Sequence, residues 1–217
     1  MKIAFLGTPE FAVPSLHMLV CEGHELCVFT QPDKPQGRHA ALTPPPVKEE
    51  AARHGIPVYQ PARIRSEEGL GLLRSFSPDL MVTAAFGQIL SAENLAVPPY
   101  GCINVHGSLL PKYRGAAPIQ WAIIDGEKKT GITTMYTELG LDTGDILLAR
   151  EIEILPDETA GELYPRMAEL GAQTLRETIQ KLLDGTLTRT PQDETLATKC
   201  SMLRKEDGSL DFSNTAQ

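Results

Sequence analysis

The sequence lacks the features that mark several large protein classes. No apolar run approaches the length of a membrane span. The run after Lys2 is broken by Pro9 and Glu10 with no small-residue cleavage site behind it, so it reads as a buried first strand and not as a leader. There are only four cysteines (Cys21, Cys27, Cys102 and Cys200), none in a Cys-x-x-Cys pair. That excludes a disulfide-stapled scaffold and predicts reduced, mostly buried thiols in a cytoplasmic protein. Positive charge is scarce as well: 20 Lys and Arg stand against 28 Asp and Glu, a formal net charge of -8. Such a chain does not grip nucleic acid over its whole surface, and any RNA contact needs a local basic patch or a further domain. The nucleotide fingerprints are missing too. The first turn, Gly7-Thr8-Pro9-Glu10-Phe11, has no Gly-x-Gly-x-x-Gly, Pro9 removes a backbone donor, and no Walker-type Lys-Ser or Lys-Thr occurs, which argues against NAD, ATP and GTP. The histidines (His17, His24, His39, His54 and His106) show no His-x-x-x-His or mixed Cys/His spacing, so no metal is expected. Ser108 sits in no Gly-x-Ser-x-Gly elbow, which disfavours a serine hydrolase.

What is present is the make-up of a folded α/β domain, with 41% apolar and 22% charged residues over 217 positions. Short apolar runs at 2–7, 26–30, 57–59, 79–85 and 101–105 read as strands, and segments at 11–20, 47–54, 67–76 and 116–125 as helices. Residues 131–137 and 145–154 alternate like two longer strands, antiparallel at the sheet edge, and 158–183 reads as a long helix ended by Gly185. The alternation predicts an open, mainly parallel, doubly wound sheet with right-handed crossovers. Residues 31–46 form a polar, proline-rich loop, long enough to suggest a function. After Gly185 the chain turns polar with only scattered apolar positions.

Two polar clusters interrupt this pattern. Asn104 and His106 lie two apart on a predicted strand, so both side chains project to one face, at the strand end where open α/β sheets build their sites. Spacing leaves two readings open, a catalytic pair or a structural Asn and His that cap the following loop. The second cluster is Gly140-Leu141-Asp142-Thr143-Gly144-Asp145. From spacing alone an ordinary turn between two strands is the simpler reading. Folded back over the strand end, however, the loop would pair Asp142 with His106 and favour the charged imidazolium.

Asn104-x-His106-Gly-Ser108-Leu-Leu-Pro111, with Asp142 in a loop, resembles the folate-dependent formyltransferases, and the resemblance runs over essentially the whole chain. Gly7 to Pro14, Gln31-Pro-Asp-Lys-Pro35 with Gly37-Arg38, Tyr113 to Gln120 and Gly140 to Asp145 resemble the branch whose acceptor is methionyl-tRNA. The resemblance implies a Rossmann-like formyltransferase fold and a catalytic trio of Asn104, His106 and Asp142. It implies a site for 10-formyltetrahydrofolate lined by Phe86, Gly87, Gln88, Ile89 and Leu90, by Ser108, Leu109, Leu110 and Pro111, and by Gly140 and Leu141. Phe86 and Gln88 stand where the family often has tyrosine and leucine. It also implies contacts of Phe11, Lys34 and Arg38 with the aminoacyl-tRNA, a monomer, and no metal or membrane partner. Residues 1–189 are then the catalytic domain. Residues 190–217 are the linker and the start of a truncated C-terminal tRNA-binding domain. Two other readings compete: the same chemistry on a sugar-nucleotide amine, and an RNA-binding module with an idle site.

Overall fold

Lys2–Gly7 becomes a central strand because both of its faces are covered. Ile3 and Phe5 enter one apolar cluster, Ala4 and Leu6 another, and all four are fully buried. In a computed structural model, which describes residues 1–36 and 41–209, this strand (β1) is followed by α1 (Val13–Cys21), β2 (Glu25–Phe29), β3 (Lys34–Gln36), β4 (Ala41–Thr43), α2 (Pro46–Arg53), β5 (Val58–Tyr59) and α3 (Glu67–Phe76). Then come β6 (Leu80–Ala84), α4 (Ala92–Leu95), β7 (Cys102–His106), β8 (Arg114–Gly115), α5 (Pro118–Ile124), β9 (Lys129–Tyr136), β10 (Ile146–Glu153), α6 (Ala160–Leu183) and β11 (Lys199–Cys200). The main sheet has seven strands in the order β10-β9-β7-β6-β1-β2-β5, parallel from β5 to β7 and antiparallel at β9 and β10. This is the doubly wound sheet with an antiparallel edge that the sequence predicts.

The two faces differ, and the difference makes room for a site. α1, α2 and α6 pack on the face that carries Ile3, Phe5, Ile103, Val105 and Ile132. Leu73 of α3 packs on the opposite face, against Ala4, Leu6, Met81 and Cys102. Thr134 of β9 bonds to Thr178 of α6, so its neighbour Thr133 projects to the face away from α6. His106 is registered opposite Thr133 and Asn104 opposite Met135. Asn104 and His106 therefore lie on the face of β7 that α6 does not cover. No helix among the described residues is long and apolar enough to cross a membrane.

Three local features depart from the pattern reading. The segment read as one polar loop contains a two-stranded antiparallel ribbon, β3 with β4. Pro35 inside it has no N–H to give, which is why it does not read as a strand. The first helix begins as a 3-10 turn over Glu10–Ala12. Residues 190–201 lie back against the sheet: Thr190 and Ile146 exchange two backbone hydrogen bonds of 2.9 Å, and β11 pairs with β8.

A buried carboxylate joins α1 to α2. The Glu50 side chain is 8% exposed and accepts hydrogen bonds from His17 Nδ1 at 2.9 Å, His54 Nε2 at 3.0 Å and Arg53 at 2.8 Å. The His17, Glu50 and His54 ligand atoms all lie within 4.8 Å of one another. The set spans two helices, so no metal-like spacing announces it in the sequence. N–H donors satisfy both carboxylate oxygens, which accounts for the cluster without an ion. Burial alone would raise the Glu50 carboxyl, but the three donors outweigh it and hold it below its ordinary range. A carboxyl depressed on folding adds stability above its unfolded value and loses it as pH falls through the folded one. Glu50→Ala is therefore expected to cost about 1–3 kcal/mol in urea unfolding at pH 7. The gap to wild type should shrink as pH drops below about 4.3, and a gap that holds constant into acid would contradict this account.

Candidate active site

Asn104 reaches the open face of β7 with its amide already oriented. The Thr83 hydroxyl, from the neighbouring register position on β6, donates to Asn104 Oδ1 at 2.8 Å. That bond occupies the acceptor end of the amide and leaves Nδ2, a donor, for whatever sits on the open face.

His106 ends β7 and is 6% exposed. Its Nε2 lies 2.9 Å from the Tyr113 carbonyl oxygen. A carbonyl can only accept, so Nε2 carries the proton. In the neutral ring Nδ1 is then a bare acceptor; it becomes a donor only in the imidazolium. Nδ1 faces Asp142 Oδ2 at 3.7 Å. The carbonyl that fixes the ring is itself held firmly. Tyr113 takes a left-handed φ of 58°, its N–H donates to Thr198 Oγ1 at 2.8 Å, and its hydroxyl donates to Glu127 at 3.0 Å. Burial first, then the carboxylates of Asp125 and Glu127, push that phenol well above its ordinary range.

Asp142 arrives from the far end of the same strand. The β9–β10 loop leaves the sheet beside Cys102, where Thr137 N–H donates to the Cys102 carbonyl at 2.7 Å. It then folds back along β7 to bring Asp142 to His106, the fold-back on which the pairing depends. Asp142 Oδ2 also accepts the Gly115 N–H at 2.8 Å. The sharpest backbone conformation falls on Asp142 itself, with a φ of 52°, and not on its flanking glycines. Gly144 is needed for close approach, since a Cβ there would collide with the Tyr136 carbonyl.

The expected folate-lining residues divide by exposure. Phe86 and Leu90 turn into the core, and the Phe86 carbonyl accepts from Thr8 Oγ1 at 2.9 Å and Gln31 Nε2 at 3.3 Å. Gln88 is spent on its own loop, accepting from Ile64 N–H at 2.6 Å and donating to Pro61 O at 3.2 Å. Ser108 is fully buried and donates to Lys112 O at 2.6 Å. Leu110 is buried, while Leu109 and Pro111 are half-buried. The Thr133 hydroxyl staples this turn, donating to Ser108 O at 2.7 Å and accepting from Leu110 N–H at 3.1 Å. Gly87, Ile89, Gly140 and Leu141 are exposed. Ile89 and Leu141 are thus the exposed apolar side chains of this set, while Phe86, Leu90, Ser108 and Leu110 shape the loops from inside.

Of the residues expected to meet the acceptor, Phe11 is placed otherwise. It is buried and packs edge-on against Tyr164 with ring centroids 5.7 Å apart, so it supports the first turn from within the core. Lys34 is exposed and lines a cleft of about 320 Å³ with Thr8, Glu10, Gln31 and Thr43. Arg38 lies outside the described residues. A second cleft, of about 350 Å³, lies behind Tyr113 between Trp121 and Cys200. The trio lines neither cleft. Sequence reasoning passed over Thr83, Arg114 and Gln192, whose partners are distant in the chain. The one available signal was the placement of a polar Thr83 in an otherwise apolar strand.

The family model described as "Formyl transferase" matches residues 1–179. A protein of Ruminiclostridium cellulolyticum named methionyl-tRNA formyltransferase is 59% identical over 218 aligned positions, 100% of this chain and 70% of its own length. One of the same name from Acetivibrio thermocellus is 58% identical with the same coverage. Among solved structures, an N-formyltransferase of Helicobacter canadensis in complex with folinic acid and dTDP-3-aminofucose superposes with a TM-score of 0.72 at 20% identity, covering 100% of this chain and 77% of that one. A phosphoribosylglycinamide formyltransferase of Bacillus halodurans gives 0.69 at 23% identity, covering 84% and 95%. At these identities the two structures speak to the fold.

Proposed function

Since this chain belongs to the formyl transferase family, we propose that it acts as a methionyl-tRNA formyltransferase, moving the formyl group of 10-formyltetrahydrofolate to the α-amino group of methionyl-tRNA, the modification that prepares the initiator for translation. High identity over the whole chain to relatives of that name supports the acceptor. The observation that carries the chemistry is the convergence of a free amide donor, an oriented imidazole and a carboxylate on one open face.

The donor fits this face. The folate supplies the formyl group, the exposed Leu141 offers apolar surface next to Asp142 and the exposed Ile89 more of it in the loop after β6, and Asn104 Nδ2 and His106 Nδ1 offer hydrogen bonds to a carbonyl oxygen. A free α-amino group has a pKa of about 7.7–8.0, so enough neutral amine exists near pH 7 to attack. As the amine bonds to the formyl carbon, negative charge builds on the formyl oxygen. Asn104 Nδ2–H and the Nδ1–H of protonated His106 donate to it there, in a geometry set before the charge appears. Asp142 accepts, through a water, the proton that the attacking amine must lose; collapse of the tetrahedral intermediate then breaks the bond between the formyl carbon and the folate nitrogen, which takes up a proton and leaves as tetrahydrofolate. Lys34, beside the first turn, meets the acceptor end of the tRNA.

Thr83 acts through Asn104. Thr83→Val removes the hydroxyl that orients the amide and is expected to lower kcat by up to about tenfold with little change in urea midpoint. An unchanged kcat would show that the amide needs no such support.

The reading is tested by formyl transfer from 10-formyltetrahydrofolate to methionyl-tRNA, with free methionine, uncharged tRNA and a dTDP-linked amino sugar as alternative acceptors. Transfer to methionyl-tRNA alone is expected. Transfer to the amino sugar and not to methionyl-tRNA would overturn the acceptor, and RNA binding without any turnover would overturn the chemistry.

A further inference from the structure

The loop that carries Asp142 has little to hold it in place. Leu139 and Leu141 are exposed, so apolar burial contributes little, and Asp142 adopts a left-handed conformation that non-glycine residues avoid. Two carbonyl groups near its tip nevertheless point at one common partner. Gln192 Nε2 donates to Asp142 O and to Gly144 O, both at 2.8 Å. Its other end is equally committed, because Oε1 accepts from Arg114 Nε at 3.0 Å and Nη2 at 2.8 Å. Arginine only donates and carbonyls only accept, so the chemistry fixes which end of the Gln192 amide is which.

Arg114 is a firm anchor. It is 3% exposed and also forks onto Glu194, with Nη1 at 2.9 Å from Oε2 and Nη2 at 2.7 Å from Oε1. The residue after it, Gly115, gives its N–H to the Asp142 carboxylate. A Cβ at Gly115 would strike the Cys200 carbonyl, so β11 is pressed directly against this turn. Residues 190–200 thus form a strap, tied to β10 at Thr190 and to β8 at Cys200, with Gln192 in the middle gripping the loop.

We propose that Gln192 is a positioning residue that holds Asp142 against His106, an inference that rests on the formyl-transfer reading above. Gln192 touches no reacting atom. It sets the distance between Asp142 and His106 Nδ1, and a misplacement of about 1 Å at such a site costs up to about 10²-fold.

The test uses the full chain as wild type, Gln192→Ala and Gln192→Glu, each alone and combined with Asp142→Asn. Gln192→Ala is expected to lower kcat roughly 10–100-fold while KM for methionyl-tRNA moves less than about twofold. In the Asp142→Asn background the same change should cost almost nothing further, because the residue it positions is already disabled. Gln192→Glu keeps the acceptor facing Arg114 but withdraws the donor from the two carbonyls. It should fold like wild type and still lose kcat, which keeps the test decisive if the alanine variant does not fold. Wild-type kcat in Gln192→Glu, or losses that multiply fully in the double variant, would overturn the proposal. Amide hydrogen exchange over residues 138–145, measured without substrates, supplies a readout free of turnover. Faster exchange in Gln192→Glu is expected, and unchanged exchange overturns the strap. If wild type itself transferred no formyl group, the functional reading would fail while the exchange measurement still decided the role of Gln192.

Discussion

Replacing His106 with alanine lowers kcat for formyl transfer by about 10²–10³-fold, the typical loss when one preorganised donor leaves a site where charge develops. The expectation follows from the division of labour between the ring nitrogens. Nε2–H is committed to the Tyr113 carbonyl, so the reacting oxygen can be served only by Nδ1. Alanine removes that donor. It should not unfold the protein. β7 is paired on both sides, with β6 and β9, and the Tyr113 carbonyl keeps the Cys200 thiol as a second donor at 3.4 Å. Steady-state kinetics beside a urea titration separates the two effects. A folded His106→Ala protein with near-normal kcat would remove His106 from the mechanism.

Asp142→Asn is the second large effect, and its value lies in how little it changes. Asparagine has the same size and can still accept the Gly115 N–H that Asp142 takes at 2.8 Å, so the loop keeps its anchor. What disappears is the negative charge facing His106 Nδ1 and the acceptor for the amine proton. The loss in kcat is expected to be about 10²-fold or more, within the usual range for a group that moves a proton. Raising the pH supplies more neutral amine but should not restore the rate, because the missing group acts after the amine has become nucleophilic. Full recovery at high pH would assign Asp142 to amine deprotonation alone.

The buried thiols add a smaller point of chemistry. Burial pushes Cys27 and Cys102 up to about 12, which leaves them as thiols at neutral pH and fits their apolar packing.

Much of this molecule was open to reading along the chain. α3 covers the predicted segment, residues 67–76, with Ser66 capping its start, because helical spacing and caps are local. The central strands read clearly because burial on both faces makes them continuous apolar runs. The ribbon at 34–43 did not, since proline hides a strand from pattern reading, and neither did α4, a helix of four residues held by a capping box at Ser91.

The trio shows where local information ends. Asn104 and His106 were visible as a pair, because a two-residue spacing on a strand dictates a shared face whatever surrounds it. Asp142, on spacing alone, looked like an ordinary turn. Only a resemblance promoted it, and only the fold-back of the β9–β10 loop along β7 brings its carboxylate to the imidazole. Arg114 and Gln192 had no local signal, because each works through a partner 48 to 80 positions away; Thr83 had only its polarity within an apolar strand, with its partner 21 positions on. The sequence by itself determined the central strands, the longer helices and the face on which Asn104 and His106 stand, since periodicity and burial act over a few residues. Tertiary structure alone decided which nitrogen of His106 carries its proton, which end of Asn104 is free and what holds Asp142 in place. Those are hydrogen-bond geometries between segments far apart in the chain, and no spacing along the sequence encodes them.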